Sequence, residues 1–134
     1  MGLQRLTPAG LFKPGAYTQV VVAQGRRMVF LAGQVSIDAE GTLVAPGDFG
    51  GQVRQVFANL RTALEGAGAT PADVTKITIY VVGYKPELRP VLGAARSAVF
   101  GPATLPASTL VGVQALAEPG FLIEVEAIAV VDEV

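Results

Sequence analysis

The segment from Leu105 to Val131, LPASTLVGVQALAEPGFLIEVEAIAVV, constrains the fold more than any other part of the chain. It reads as two neutral strands joined by a Glu118-Pro119-Gly120 turn. Two carboxylates, Glu124 and Glu126, interrupt the second, otherwise apolar strand. Period-2 alternation puts both on one face, with Val125 and Ala127 on the other. An unpaired carboxylate in a dry core is strongly destabilising or is neutralised. The acidic face is therefore predicted to meet a cleft, a partner subunit or a cation.

A chain of 134 residues fits one domain, 1–134, with room for a substantial core. Apolar residues make up 51% of it, yet no apolar run reaches the roughly 18 residues of a membrane span. That excess predicts an oligomer interface rather than contact with a membrane. The N-terminal MGLQRLTPAG lacks the apolar core of a signal peptide, and Gly2 lacks the Ser or Thr that N-myristoylation requires. The expected location is cytoplasmic.

Cys and His are both absent. Their absence excludes a thiol nucleophile, a disulfide, a Ser-His-Asp triad and any zinc site of imidazole and thiolate. Acid–base work falls to Glu, Asp, Tyr, Lys, a terminus or water. The sequence implies no metal and no organic cofactor. Ten basic residues against eleven acidic ones give a net charge of −1. Arg26-Arg27, the adjacent basic pair, reads as a solvated turn. No nucleic-acid partner is expected, since such binders carry a clustered basic surplus.

The element pattern begins with a short edge strand at Arg5–Thr7. Two β-rich runs follow, Tyr17–Ala23 and Met28–Ile37, and read as a hairpin around Gln24–Arg27. Gly33 interrupts the second run and marks a bulge or a close approach of backbone or ligand. A Gly-, Pro- and Asp-rich loop covers Asp38–Gly50. Helical spacing of Val53, Val56, Phe57, Leu60 and Leu64 predicts a helix over Gly51–Ala67, stopped by Gly66 and Gly68. The Gly66–Gly68 run closes a helix and is no phosphate loop. A strand is expected at Val74–Val82. A second helix is expected at Pro86–Phe100, with Leu88, Val91, Leu92, Ala95 and Val99 inward and Pro90 able to reset its start. Strands near Thr109–Ala115 and Phe121–Val131 complete a β-β-α-β-α-β-β order. This is an α+β layer, a mixed sheet with two helices on one face, and another copy of the chain is the economical cover for the other face.

Several segments in order resemble the RidA/YjgF family of enamine/imine deaminases, also known as endoribonuclease L-PSP. They are PGAYTQVV (Pro14–Val21), FLAGQVSID (Phe30–Asp38), NLRTALEGAGATPADVTKITIYV (Asn59–Val81) and the PAST…LIEVEAIA series. The resemblance implies a chorismate-mutase-like fold assembled as a homotrimer, with small-molecule clefts between subunits. Tyr17 corresponds to the family's cleft tyrosine, and Glu124 to the glutamate that positions water or moves a proton. Their alternatives are a half-buried strand tyrosine and an interface acid paired with arginine. Glu126 could share that face in a lesser role.

The chain departs from the family where the ligand is held. Ser108 stands where deaminating members have an arginine that grips a carboxylate. Losing that charge-assisted pair weakens binding by about 1.5–3 kcal/mol. Ala32 replaces a serine before Gly33-Gln34, and Leu92–Ala94 offers no equivalent of the family's asparagine. With Thr109 beside Ser108, and Gly33 and Ala32, the expected binding set includes Arg96, which with Arg89 could supply a substitute cation. The alternative for both arginines is a solvated helix face. Gly112 leaves open a close approach or a sheet bend. The expected function is a small-metabolite-binding homotrimer that hydrolyses enamines or imines, with Glu124 and Tyr17 organising the water. The alternatives are a non-catalytic ligand-binding or chaperone-like oligomer and, with less support, a ribonuclease.

Overall fold

The alternation of the last strand is kept in three dimensions and sets which face of the sheet is core. In the computed structural model, which describes residues 2–132, Ile123, Val125, Ala127, Ala129 and Val131 are buried. Glu124 and Glu126 lie on the opposite side, half-buried and exposed respectively. The strands are β1 (Gly2–Leu6), β2 (Val20–Gln24), β3 (Arg27–Gln34), β4 (Val74–Val82), β5 (Ala107–Val113) and β6 (Ile123–Val131). The helices are α1 (Phe49–Gly66) and α2 (Arg89–Val99).

Four strands form one mixed sheet in the order β3-β6-β4-β5. β6 runs antiparallel to both neighbours, and β5 runs parallel to β4. The two strands joined through Pro119 and Gly120 are thus not adjacent, because β4 lies between them. β4 is rich in Val, Ile, Thr and Tyr, residues that suit a pleated, half-buried surface.

The expected hairpin between the runs starting at Tyr17 and Met28 does not form. β2 pairs instead with β1, from Gly2 opposite Gln24 to Leu6 opposite Val20, in a separate two-stranded ribbon. The physical reason lies at Gly25. Here the chain crosses the end of β6, with the Arg26 N–H donating to the Val131 carbonyl at 2.9 Å. A Cβ at position 25 would lie 2.6 Å from Val130 Cγ1 and 2.8 Å from the Val131 oxygen. Only glycine passes so close, and the crossing carries β2 away from the edge of β3. The short edge strand expected at Arg5 is therefore half of this ribbon. Arg5 ties it down by donating to the carbonyls of Leu105 and Ala72.

α1 begins where Asp48 caps it, its carboxylate accepting from the Gly51 N–H at 3.1 Å. It ends at the left-handed Gly68, with Ala69 N–H bonded to the Leu64 carbonyl. Its buried stripe is the predicted Val53, Val56, Phe57, Leu60 and Leu64, with Gln52 added. Full burial of each large aliphatic side chain contributes about 1.5–3 kcal/mol. Gln52 donates to the Gly120 carbonyl at 2.9 Å and accepts from the Leu122 N–H at 2.9 Å, fastening the loop before β6 to the helix.

The second helical stretch is divided. Pro86–Leu88 is a single 3-10 turn, and α2 proper starts at Arg89, with Pro90 in its first turn. Leu92 is its buried anchor, and Leu88, Ala95 and Val99 pack against the core. Val91, expected inward, is 38% exposed and lines a groove beside Gly50 and Arg54. An 11-residue helix anchored on Leu92 turns its preceding residue outward.

Candidate functional site

The segment ahead of β2 is held against the start of β5 by backbone and side-chain bonds. The Thr18 N–H donates to the Pro106 carbonyl at 3.0 Å, and Thr18 Oγ1 donates to the Leu105 carbonyl at 2.6 Å. This clamp sets Tyr17 over a cavity of about 790 Å³ between that segment, α2 and β5. Tyr17, Tyr84, Arg89, Arg96 and Ser108 supply its polar wall, and Leu92 and Leu110 its apolar floor. Gly112 explains the place of Tyr84: a Cβ there would come 3.1 Å from Tyr84 Cβ, so the missing side chain seats the tyrosine. Sequence reasoning missed Tyr84, for which the strand glycine was the available signal.

Arg96 is half-buried in the last turn of α2, where a cation suits the helix dipole. Burial lowers its guanidinium pKa from the ordinary arginine value. Among the described residues it has no hydrogen-bond or ion-pair partner. Among the described residues no carboxylate lines the cavity.

Glu124 occupies a different place. The β3–β6 register shifts between Leu31 and Gln34, so Ala32 and Gly33 form a bulge beside β6. The Glu124 side chain lies in the space that a Cβ at Gly33 would fill, its Cδ 2.6 Å and its Cγ 2.8 Å from that position. The expected bulge is present at Gly33, and what approaches it is the chain's own carboxylate, not a backbone or a ligand.

Further along this outer face, Tyr80 donates its hydroxyl to Glu126 Oε1 at 3.2 Å. Partial desolvation, then the charge and hydrogen bond of Glu126, and further off the charge of Glu124, push the Tyr80 phenol above its ordinary pKa. Thr109 also lies on this face and accepts from Lys76 Nζ. Met28 and Phe30 are 63% and 69% exposed there.

The predicted residues thus fall into two groups. Tyr17, Ser108, Arg96 and Arg89 share the cavity on the helix side of β5. Glu124, Gly33 and Ala32 gather at the β3–β6 edge on the outer face. Thr109, one residue from Ser108, points to the outer face as strand alternation requires. The cavity that holds Tyr17 is walled without Glu124. Among the described residues no cluster of three acidic side chains gathers that could hold a metal ion, and no helix is long and apolar enough to cross a membrane.

This arrangement of a mixed sheet, two helices on one face and a cavity beside the start of β5 defines a chorismate-mutase-like α+β fold. Residues 10–131 match the Endoribonuclease L-PSP family, and the chain belongs to that family, the RidA/YjgF proteins. It is 39% identical over 67 residues to a RutC family protein of Pyrococcus horikoshii, a stretch covering 50% of this chain and 52% of the relative. It is 27% identical over 128 residues to a 2-iminobutanoate/2-iminopropanoate deaminase of Dermatophagoides farinae, covering 94% of each. Among solved structures, the Rid family protein YyfB of Yersinia pestis, itself of unknown function, superposes with a TM-score of 0.91. It is 38% identical, over 98% of this chain and all of the other.

Proposed function

We propose that the protein is a cytoplasmic, RidA-type homotrimer that binds a small metabolite and hydrolyses an enamine or imine in clefts shared between copies. The observation that carries this reading is the division of the site. One face of the sheet presents Tyr17 and Ser108 in a cavity beside β5, and the other presents Glu124 seated on Gly33 between β3 and β6. Exposed Met28 and Phe30 lie on the sheet face that carries Glu124. A second copy packed against that outer face covers these apolar groups and brings one chain's Glu124 toward another chain's Tyr17. The family deaminase among the relatives supports the reaction.

In this reading water adds to the imine carbon while Glu124 takes its proton and returns it to the nitrogen. The tetrahedral adduct then passes its hydroxyl proton to the nitrogen through Glu124 and loses ammonia to leave a carbonyl. The Tyr17 hydroxyl orients the water or the departing nitrogen. A carboxylate and a phenol suffice for both proton movements, which fits a chain without His or Cys.

Ser108 and Ala32 favour a second reading, a ligand-binding oligomer without turnover. The test is ammonia release from freshly generated carboxylated and neutral imines. Wild type accelerates release from at least one of them, and Glu124→Gln lowers that rate by about a hundredfold or more. Release no faster than in buffer, with the trimer intact, leaves the binding reading in its place.

A further inference from the structure

We infer that the cavity beside α2 is an organic-anion site in which Arg96, rather than the residue at position 108, grips the ligand's carboxylate. This deepens the proposed function and rests on its placing the ligand in that cavity. Three observations support it. The polar wall holds two guanidinium groups, from Arg96 and Arg89, and, among the described residues, no carboxylate. Arg96 is half-buried and has no partner among the described residues, although removing a guanidinium from water is costly unless an anion meets it. It also stands at the boundary of two spaces, lining both this cavity and a neighbouring one of about 410 Å³. Its position in the last turn of α2 explains why an arginine is tolerated there, but not why it is left unpaired.

The neutral Ser108 fits this arrangement. It lines the same cavity as Arg96, so an arginine at 108 would bring a second buried cation toward the first without an acid between them. The cavity's positive charge comes from α2 and not from β5, so the ligand's anionic end is expected to turn toward the helix. The size of the space also bears on the ligand. About 790 Å³ lies within the range of pockets that take drug-sized molecules, well above the need of a four-carbon imino acid. With Tyr17, Tyr84, Leu92 and Leu110 around it, the cavity suits a carboxylate on an aromatic or branched apolar body.

Benzoate and benzamide, a charged and a neutral molecule of nearly the same shape, provide the test. Both are titrated into the full-length, ¹⁵N-labelled protein while the Arg96 Nε–H resonance, assigned by its loss in Arg96→Lys, is followed. Benzoate is expected to bind about tenfold or more tightly than benzamide and to shift that resonance. Arg96→Met is expected to weaken benzoate about ten- to a hundredfold while leaving benzamide within about twofold, and Arg96→Lys to fall between. A thermal melt of each variant separates misfolding from lost binding. Equal binding of the two molecules, or benzoate affinity indifferent to Arg96→Met, overturns the anchor while keeping the cavity as a ligand cleft. No binding of either molecule to wild type overturns the cavity's role as well.

Discussion

Gly33 and Glu124 occupy one space: the carboxylate of Glu124 fills the volume that a side chain at position 33 would take. The bulge at Ala32–Gly33 and the alternation of β6 together create this fit, so a strand irregularity and an acid on an apolar strand are one feature. Gly33→Ala forces the glutamate away or strains the bulge. The expected loss of stability is about 1–3 kcal/mol, the ordinary range for overpacking. Adding Glu124→Ala should recover most of it, because the clash then has no second partner. A double-mutant cycle in urea reads the coupling directly, and additive losses would show that the two residues do not share the space.

A buried glutamine holds the loop before β6. Gln52 is fully buried and bonded to both Gly120 and Leu122. Gln52→Leu removes both bonds and a third, longer one to the Ala45 carbonyl, and leaves the Gly120 carbonyl and the Leu122 N–H without their partner. Unfolding free energy is therefore expected to fall by about 2–3 kcal/mol. Chemical denaturation measures this. A change below about 0.5 kcal/mol, the level of an inert surface substitution, would mean that water replaces the glutamine without loss.

The outer face carries a pH dependence. The raised Tyr80 phenol keeps its proton in the folded state at pH values where the unfolded chain has begun to lose it. Its contribution to stability is therefore fully present below the unfolded pKa near 10 and is lost as pH rises through the folded value. Tyrosine labelled at Cζ, with the resonance assigned by Tyr80→Phe, gives the midpoint by NMR. It should lie above 10 and move down in Glu126→Gln, which removes both the nearby charge and the ionised acceptor. An unchanged midpoint in that variant would show that Glu126 does not contribute to the shift.

Much of the fold was legible because its strongest patterns are local. The apolar spacing of α1 and the alternation of β4 and β6 identify their buried residues directly. The pairing of β2 was not legible, since a three-dimensional crossing at Gly25 decides it and the intervening turn looks like any hairpin turn. Gln52 escaped for a related reason: nothing local distinguishes a glutamine that meets Gly120 and Leu122 from one in solvent. The candidate residues divide between two places: a strand read from Thr109 leaves Ser108 outside it, whereas β5 starts at Ala107 and alternation sends Ser108 and Thr109 to opposite faces with different partners.

The most direct test of the shared cleft uses two variants that are each expected to be inactive, Tyr17→Phe and Glu124→Gln. They are purified separately, unfolded and refolded together so that copies mix, and the mixture is compared with each variant refolded alone. If Tyr17 and Glu124 of a working site come from different chains, random mixing regenerates intact sites. Imine-dependent ammonia release should then return to about a quarter of the wild-type rate, as expected for a closed ring with one contact type. A mixture no more active than its parents, while refolded wild type is active, would contradict the account.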